Sequence, residues 1–376
     1  MKTKIVLAAG FSLISWLLPF KASAATFSKM YVFGDSTSDT GNEFNVNTFA
    51  KQFLDPTTPI LPPSPLYFNG RYSNGPVWVE YLAEDLGFAL TPSTELVVGN
   101  PITIAESGFR TNLSYGGATV TQSVNFAFWG AETGFGNTNP RLPGVLEQMQ
   151  GFIDDLRVTN SSADPNALYI VLAGANNYVT GRFIEAEEPV DNIATAVSSL
   201  YNVGARNFLV PNLPDFGKFP VARSLGSEVA VDLTTVVKEH NSLLGTTFER
   251  LNQSLPEINL IPLDLYSFIN DRIANPTKYG YTNVTAPCLV GEFPNFSVCD
   301  RPEEYLFWDS VHGTTVFYAS MGEFASEAVT SKAKSIAEPT PLVFYSLLGL
   351  VGVLLKFLKL RLFYRRNSSE IEDLRD

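Results

Sequence analysis

Tyr31-Val-Phe-Gly-Asp-Ser36-Thr-Ser-Asp39-Thr-Gly41-Asn42 sets a serine on a sharp turn directly after an apolar run. Residues 30–33 read as a buried strand, Gly34 allows a tight exit, and the polar residues after Ser36 suit the first turn of a helix. On that reading the hydroxyl stands at the carboxyl end of a strand, beside helix-start N–H groups that can stabilise an oxyanion. Taken alone the segment is ambiguous, because Gly, Asp and Ser after a strand are also ordinary turn and N-cap residues.

The far end of the chain supplies partners for such a serine. In Phe307-Trp-Asp309-Ser-Val-His312-Gly-Thr314 a carboxylate precedes a histidine by three residues, a spacing at which helix-like geometry brings both side chains onto one face. An Asp so placed holds the imidazole in one tautomer and leaves its other nitrogen to take a serine proton. Only two histidines exist in the sequence, His240 and His312. His240 sits among Lys238, Glu239 and Asn241 in a stretch of helical periodicity and reads as a solvated helix residue, which leaves His312 as the base.

These residues give the chain its resemblance to the SGNH hydrolases of the GDSL lipase/esterase family. The first family block is matched by Gly34-Asp35-Ser36 with Ser38-Asp39-x-Gly41-Asn42, and the last by Asp309-x-x-His312. The third is matched by Gly174-Ala175-Asn176-Asn177, where Asn177 replaces the usual Asp. The second block, a glycine whose N–H completes the oxyanion hole, has two matches: Gly117 in 112–119 and Gly130 in 125–134. Gly130 is the favoured one, because 142–150 resembles the helix that follows this block in relatives, although Trp129 stands where a glycine is usual. The resemblance runs over residues 27–327, with weaker echoes at 207–217, 275–280 and 288–299. It implies a three-layer, flavodoxin-like α/β fold, a Ser36-His312-Asp309 triad, an oxyanion hole made by Ser36, Gly130 and Asn176, and no cofactor. No Gly-x-Ser-x-Gly occurs, so the nucleophile elbow of α/β-hydrolases is excluded.

Periodicity independently indicates an α/β architecture. Residues 79–86, 146–156 and 191–203 read as helices, and 168–172, 207–210 and 258–261 as strands. That alternation implies a mostly parallel central sheet flanked by helices on both faces, with function in the loops at the carboxyl ends of the strands. The chain has 376 residues, 45% of them apolar and 12% aromatic, ample for one large core. A net charge of −12 with no basic run in the domain excludes nucleic acid as an expected partner. Asp35 and Asp39 are too far apart for an Asp-x-Asp phosphatase motif and lack the pattern of a calcium loop. With Asn42, they read as capping and turn residues.

The ends carry sorting signals. Lys2 and Lys4, an apolar stretch over 5–18 and Ala22-Ser-Ala24 read as a signal peptide at 1–24. In an exported domain at 25–332, Cys288 and Cys299 would close a short loop before Asp309, a bridge contributing about 3 kcal/mol. A linker at 333–340 leads to an apolar segment at 341–362 and a polar tail at 363–376, with Lys356, Lys359, Arg361, Arg365 and Arg366 as a basic flank. The segment reads as a membrane anchor with the catalytic domain outside, and it also resembles a PEP-CTERM sorting tail, which would bring a sorting protease as a partner. The expectation is an extracellular, periplasmic or surface-held serine esterase or lipase acting on small-molecule or lipid esters. The alternatives are a binding module on the same fold, or an acyltransferase or polysaccharide deacetylase using the same triad.

Overall fold

Strand β1 (Met30–Gly34) is buried along its whole length and alternates its side chains between two cores. Met30 and Val32 point into one core, Tyr31 and Phe33 into the other, as the two-residue period of a strand covered on both faces requires. The computed structural model describes residues 27–105, 108–136, 142–179, 185–292 and 295–337. The expected signal peptide, apolar segment and polar tail lie outside the described residues.

After β1 come α1 (Asn42–Phe53), α2 (Trp78–Leu86), β2 (Leu90–Pro92), the hairpin β3 (Ile102–Ala105) and β4 (Gly108–Thr111), β5 (Ser123–Asn125) and α3 (Val145–Val158). The middle of the chain forms β6 (Leu168–Leu172), α4 (Ala175–Val179), α5 (Glu187–Asn202), β7 (Asn207–Pro211), α6 (Pro220–Leu225), α7 (Ser227–Ser254) and β8 (Asn259–Leu263). Then follow α8 (Leu265–Ala274), β9 (Asn283–Pro287), β10 (Leu289–Glu292), β11 (Asn295–Val298), β12 (Tyr305–Phe307) and α9 (Thr315–Ala337). Helix α9 runs into the stretch expected as a linker, whose last residues, 338–340, lie outside the described ones.

The main sheet has the order β2-β5-β1-β6-β7-β8, and every pairing in it is parallel. With the edge strand β2 set aside, the remaining five follow the flavodoxin-like order 2-1-3-4-5. Helices α2, α8 and α9 cover one face and α3 and α5 the other. The fold is therefore a three-layer α/β structure with Thr26–Val329 as one compact unit.

Helix α7 belongs to both layers. Its Leu233 and Val237 join the core of α2, α8 and α9, whereas Leu244 and Leu251 join the core of α3 and α5. At 28 residues, about 42 Å of helix, it is long enough to pass from one face to the other.

All parallel strands end on the same side, so the segments after β1, β5 and β6 meet there. Ser36 follows β1, Gly130 follows β5 and Asn176 follows β6.

Candidate active site

Gly34 ends β1 under tight constraint. A Cβ there would come within 2.8 Å of the Leu172 carbonyl on β6. The Gln148 side chain on α3 grips the same residue: its Oε1 accepts from the Gly34 N–H at 2.9 Å, and its Nε2 donates to the Gly34 carbonyl at 2.9 Å. The Asp35 carboxylate then accepts from both the N–H and the hydroxyl of Thr37, closing a turn with Ser36 inside it. Ser36 does not open a helix, contrary to expectation. The chain turns through 36–41, and α1 starts at Asn42 because Asp39 accepts from the N–H groups of Gly41, Asn42 and Glu43. Burial pushes the Asp39 carboxyl up to about 6 despite those donors.

Asp309 and His312 meet through a turn rather than a helix. Asp309 Oδ1 accepts from the N–H groups of Val311 (2.8 Å) and His312 (2.7 Å), folding the four residues back on themselves. Asp309 Oδ2 lies 2.7 Å from His312 Nδ1, and His312 Nε2 lies 2.9 Å from Ser36 Oγ. The three side chains thus form one continuous hydrogen-bonded relay. Burial pushes the Asp309 carboxyl up, but the attraction and hydrogen bond of His312 and the two backbone donors outweigh it and hold it below the ordinary carboxylate range. A fourth donor, the Tyr67 hydroxyl, reaches Asp309 Oδ2 at 2.8 Å. The Tyr72 ring packs on the imidazole, with centroids 4.9 Å apart, and stacks on the exposed Trp129 at 6.2 Å.

The two glycines proposed for the second family block lie at opposite ends of β5. Gly117 precedes the strand, and its N–H donates to Asp155 of α3 at 2.6 Å. Gly130 follows the strand in a left-handed conformation (φ 66°), on the side of the sheet where Ser36 stands. The neighbouring Ala131 carbonyl accepts from Asn176 Nδ2 at 3.0 Å, which fixes the direction of that amide. Asn177, the departure from the family pattern, accepts from the Thr133 N–H at 3.0 Å. Its amide oxygen thus takes the N–H that a carboxylate oxygen at that position could also accept.

His240 corrects the sequence reading, which placed it in solvent. It is fully buried where α7 passes from one core to the other. Its Nδ1 lies 2.9 Å from the Tyr178 hydroxyl, and its ring packs so closely on Gly174 that a Cβ there would sit 3.0 Å from it. Burial lowers the imidazole to about 4, so it is neutral near pH 7.

Cys288 and Cys299 form a disulfide across the hairpin of β10 and β11. The N–H groups of Cys288 and Leu289 donate to the carbonyls of Phe307 and Trp308, which attaches that hairpin to the residues leading into Asp309. Among the described residues, no cluster of three or more His, Cys, Asp or Glu side chains is arranged to hold a metal ion.

The profile of the GDSL-like lipase/acylhydrolase family matches residues 30–325. The chain belongs to this family. One GDSL esterase/lipase of Arabidopsis thaliana is 28% identical over 347 residues, covering 79% of this chain and 84% of its own length. A second from the same plant is 26% identical over 349 residues, covering 82% and 91%. Among solved structures, a lipolytic G-D-S-L family protein of Veillonella parvula aligns with TM-score 0.38 at 13% identity, over 80% of this chain and 96% of its own. An aryl esterase of M. smegmatis aligns with TM-score 0.40 at 13% identity, over 81% and 98%. Membership makes the chain an ester-hydrolysing serine hydrolase.

Three residues that support the site of this GDSL enzyme escaped the sequence reading. Neither Gln148 nor Tyr67 names its partner locally, since each acts on a residue more than a hundred positions away. Tyr72 is equally ordinary in its own segment. The apolar periodicity of α3 does offer one clue to Gln148, because a fully buried glutamine on a helix needs a partner for its amide.

Proposed function

We propose that Ser36 is the nucleophile of an ester hydrolase in which His312 is the general base and Asp309 orients it. His312 Nε2 takes the Ser36 proton as Oγ bonds to the ester carbonyl carbon, and the C–O bond to the alcohol then breaks as the imidazolium returns that proton to the leaving oxygen. Water repeats the sequence on the acyl-serine and releases the acid. The backbone N–H groups of Ser36 and Gly130 and the Asn176 amide receive the oxyanion, each such donor worth about 10²–10³ in turnover. Gly130 rather than Gly117 takes this role because the Gly117 N–H is already held by Asp155 at the other end of β5.

The observation that carries this reading is the relay, with its two contacts of 2.9 and 2.7 Å. Purified protein should react with a fluorophosphonate at Ser36 and hydrolyse p-nitrophenyl esters, and Ser36→Ala should lose both activities while unfolding at the wild-type temperature. Undiminished turnover in that variant would falsify the assignment. Labelling without hydrolysis, with acyl transfer to an added alcohol, would make the enzyme a transacylase.

The same reading places the enzyme outside the cytoplasm. Its supports are the signal pattern of residues 1–24, the bridge between Cys288 and Cys299, and the apolar segment at 341–362 that would hold or sort the domain at a membrane.

A further inference from the structure

A narrow cavity opens beside Ser36 and runs under the carboxyl ends of the sheet. Asp35, Ser36, Thr37 and Asn176 form its mouth. Beyond them it passes Leu172 at the end of β6, Leu213 after β7 and Leu265 after β8, and is walled by Ile269 of α8 and by Phe317 and Met321 of α9. Gly313, next to His312, has no side chain, and the Phe317 ring occupies the place a Cβ would take, which brings that wall up to the backbone of the site. Past the mouth the walls are aliphatic and aromatic, and the hydroxyl of Tyr318 is engaged by the Gly313 N–H.

The dimensions describe a slot. The space open to the centre of a water-sized sphere is about 60 Å³. By that measure one water needs about 10–15 Å³, so the slot holds roughly four to six waters. The distance from β1 to β8 agrees, since three strand spacings span about 14 Å. A space this long and this thin accepts an unbranched methylene chain and rejects a ring or a branch.

Its position relative to the relay decides which half of an ester enters. The carbonyl carbon must sit on Ser36 Oγ, and the group attached to that carbon continues into the space Ser36 borders. The leaving oxygen must instead face His312 Nε2, and the His312 ring is covered by Tyr72 and is not part of the slot wall. On the Tyr72 side lies a separate, wider trough between Phe44, Tyr67, Tyr72, Trp129 and Phe296.

We propose that the slot is the acyl site, and that the substrates are esters of straight-chain fatty acids of medium length, hexanoyl to decanoyl, rather than esters of acetic, branched or aromatic acids. The proposal rests on Ser36 being the nucleophile. Each methylene drawn from water into the slot favours the transition state, on the order of fourfold in kcat/KM.

The test measures kcat/KM for p-nitrophenyl acetate, octanoate, palmitate and the branched pivalate, with fluorophosphonate labelling of Ser36 in parallel. For the wild type, octanoate should exceed acetate at least tenfold, with palmitate and pivalate below octanoate. Ile269→Trp, which fills the far end, should lower the octanoate-to-acetate ratio at least tenfold. Met321→Ala, which enlarges it, should move the optimum to a longer chain. The ratio does not depend on how much of a variant is folded. Acetate as the best wild-type substrate, or chain-length profiles unchanged in both variants while Ser36 still labels, would overturn the slot alone. A protein that labels nowhere and turns over no ester would remove the nucleophile as well.

Discussion

Glu43 on α1 is 2% exposed, with its carboxyl against Asp39, the Tyr72 hydroxyl and the Asn47 amide. Burial pushes it up to about 8, with the Tyr72 bond pulling it down and the Asp39 charge pushing it up, so near pH 7 it is largely protonated. Its position reaches the relay through one residue, because the ring of Tyr72 lies on His312. A folded-state value above the ordinary 4.5 means that the folded protein binds more protons. Its contribution to stability is therefore present below pH 4.5 and is lost as pH rises through about 8. Glu43→Gln keeps the shape and removes the charge. Urea unfolding should find the variant more stable than wild type by at least ~1 kcal/mol at pH 8.5, and no more stable at pH 4.5. An equal difference at both values would show that Glu43 has an ordinary affinity for protons. His240 works in the opposite sense: lowered to about 4, it leaves the fold weaker as pH falls from 6.5 towards 4.

Strand β1 delivers the serine, and its last residue is held by another element. The Gln148 amide makes two hydrogen bonds to Gly34 and a third to the Pro143 carbonyl at 3.1 Å, which ties α3 to the start of the serine turn. Gln148→Leu fits the same space and leaves the Gly34 N–H without its partner, while the Gly34 carbonyl keeps the Phe128 N–H at 3.2 Å. An unsatisfied buried donor costs about 1–3 kcal/mol, so the variant should lose roughly that much in urea unfolding. Its kcat should fall by more than its KM rises, since the displaced atom is Ser36 Oγ. A variant within ~0.5 kcal/mol of wild type would show that β1 holds its own end. Helix α7 illustrates why the sequence reading of His240 failed. Polar neighbours at 238, 239 and 241 describe the outer side of one helical turn, whereas the burial of residue 240 follows from the helix crossing the edge of two cores.

Across the whole molecule, one side of a parallel sheet gathers Ser36, Gly130 and Asn176, and the last loop before α9 adds Asp309 and His312. The disulfide hairpin is attached to that loop through the backbone of residues 307 and 308, so oxidation and the site are mechanically linked. A protein assembled this way outside the cytoplasm should be recovered with Ala25 as its first residue and without any thiol that reacts with iodoacetamide before reduction. Intact-mass analysis of the exported chain reads both features at once. Two free thiols would place the protein in a reducing compartment, and a retained residue 1–24 segment would make that segment an uncleaved anchor.

Much of this enzyme was legible in its sequence. The serine turn, the Asp-x-x-His spacing and the alternation of strands and helices are local patterns, set by turn chemistry and by side-chain periods of 2 and 3.6 residues. Short-range physics of that kind survives in a one-dimensional string. Tertiary structure decided what depends on which surfaces meet. It set Ser36 against His312 across 276 residues, separated Gly117 from Gly130 by the direction of β5, buried His240, and brought Tyr67 to the relay and Gln148 to the end of β1. It also left a slot beside the serine, a space bounded by residues of five elements that no segment of the chain contains by itself.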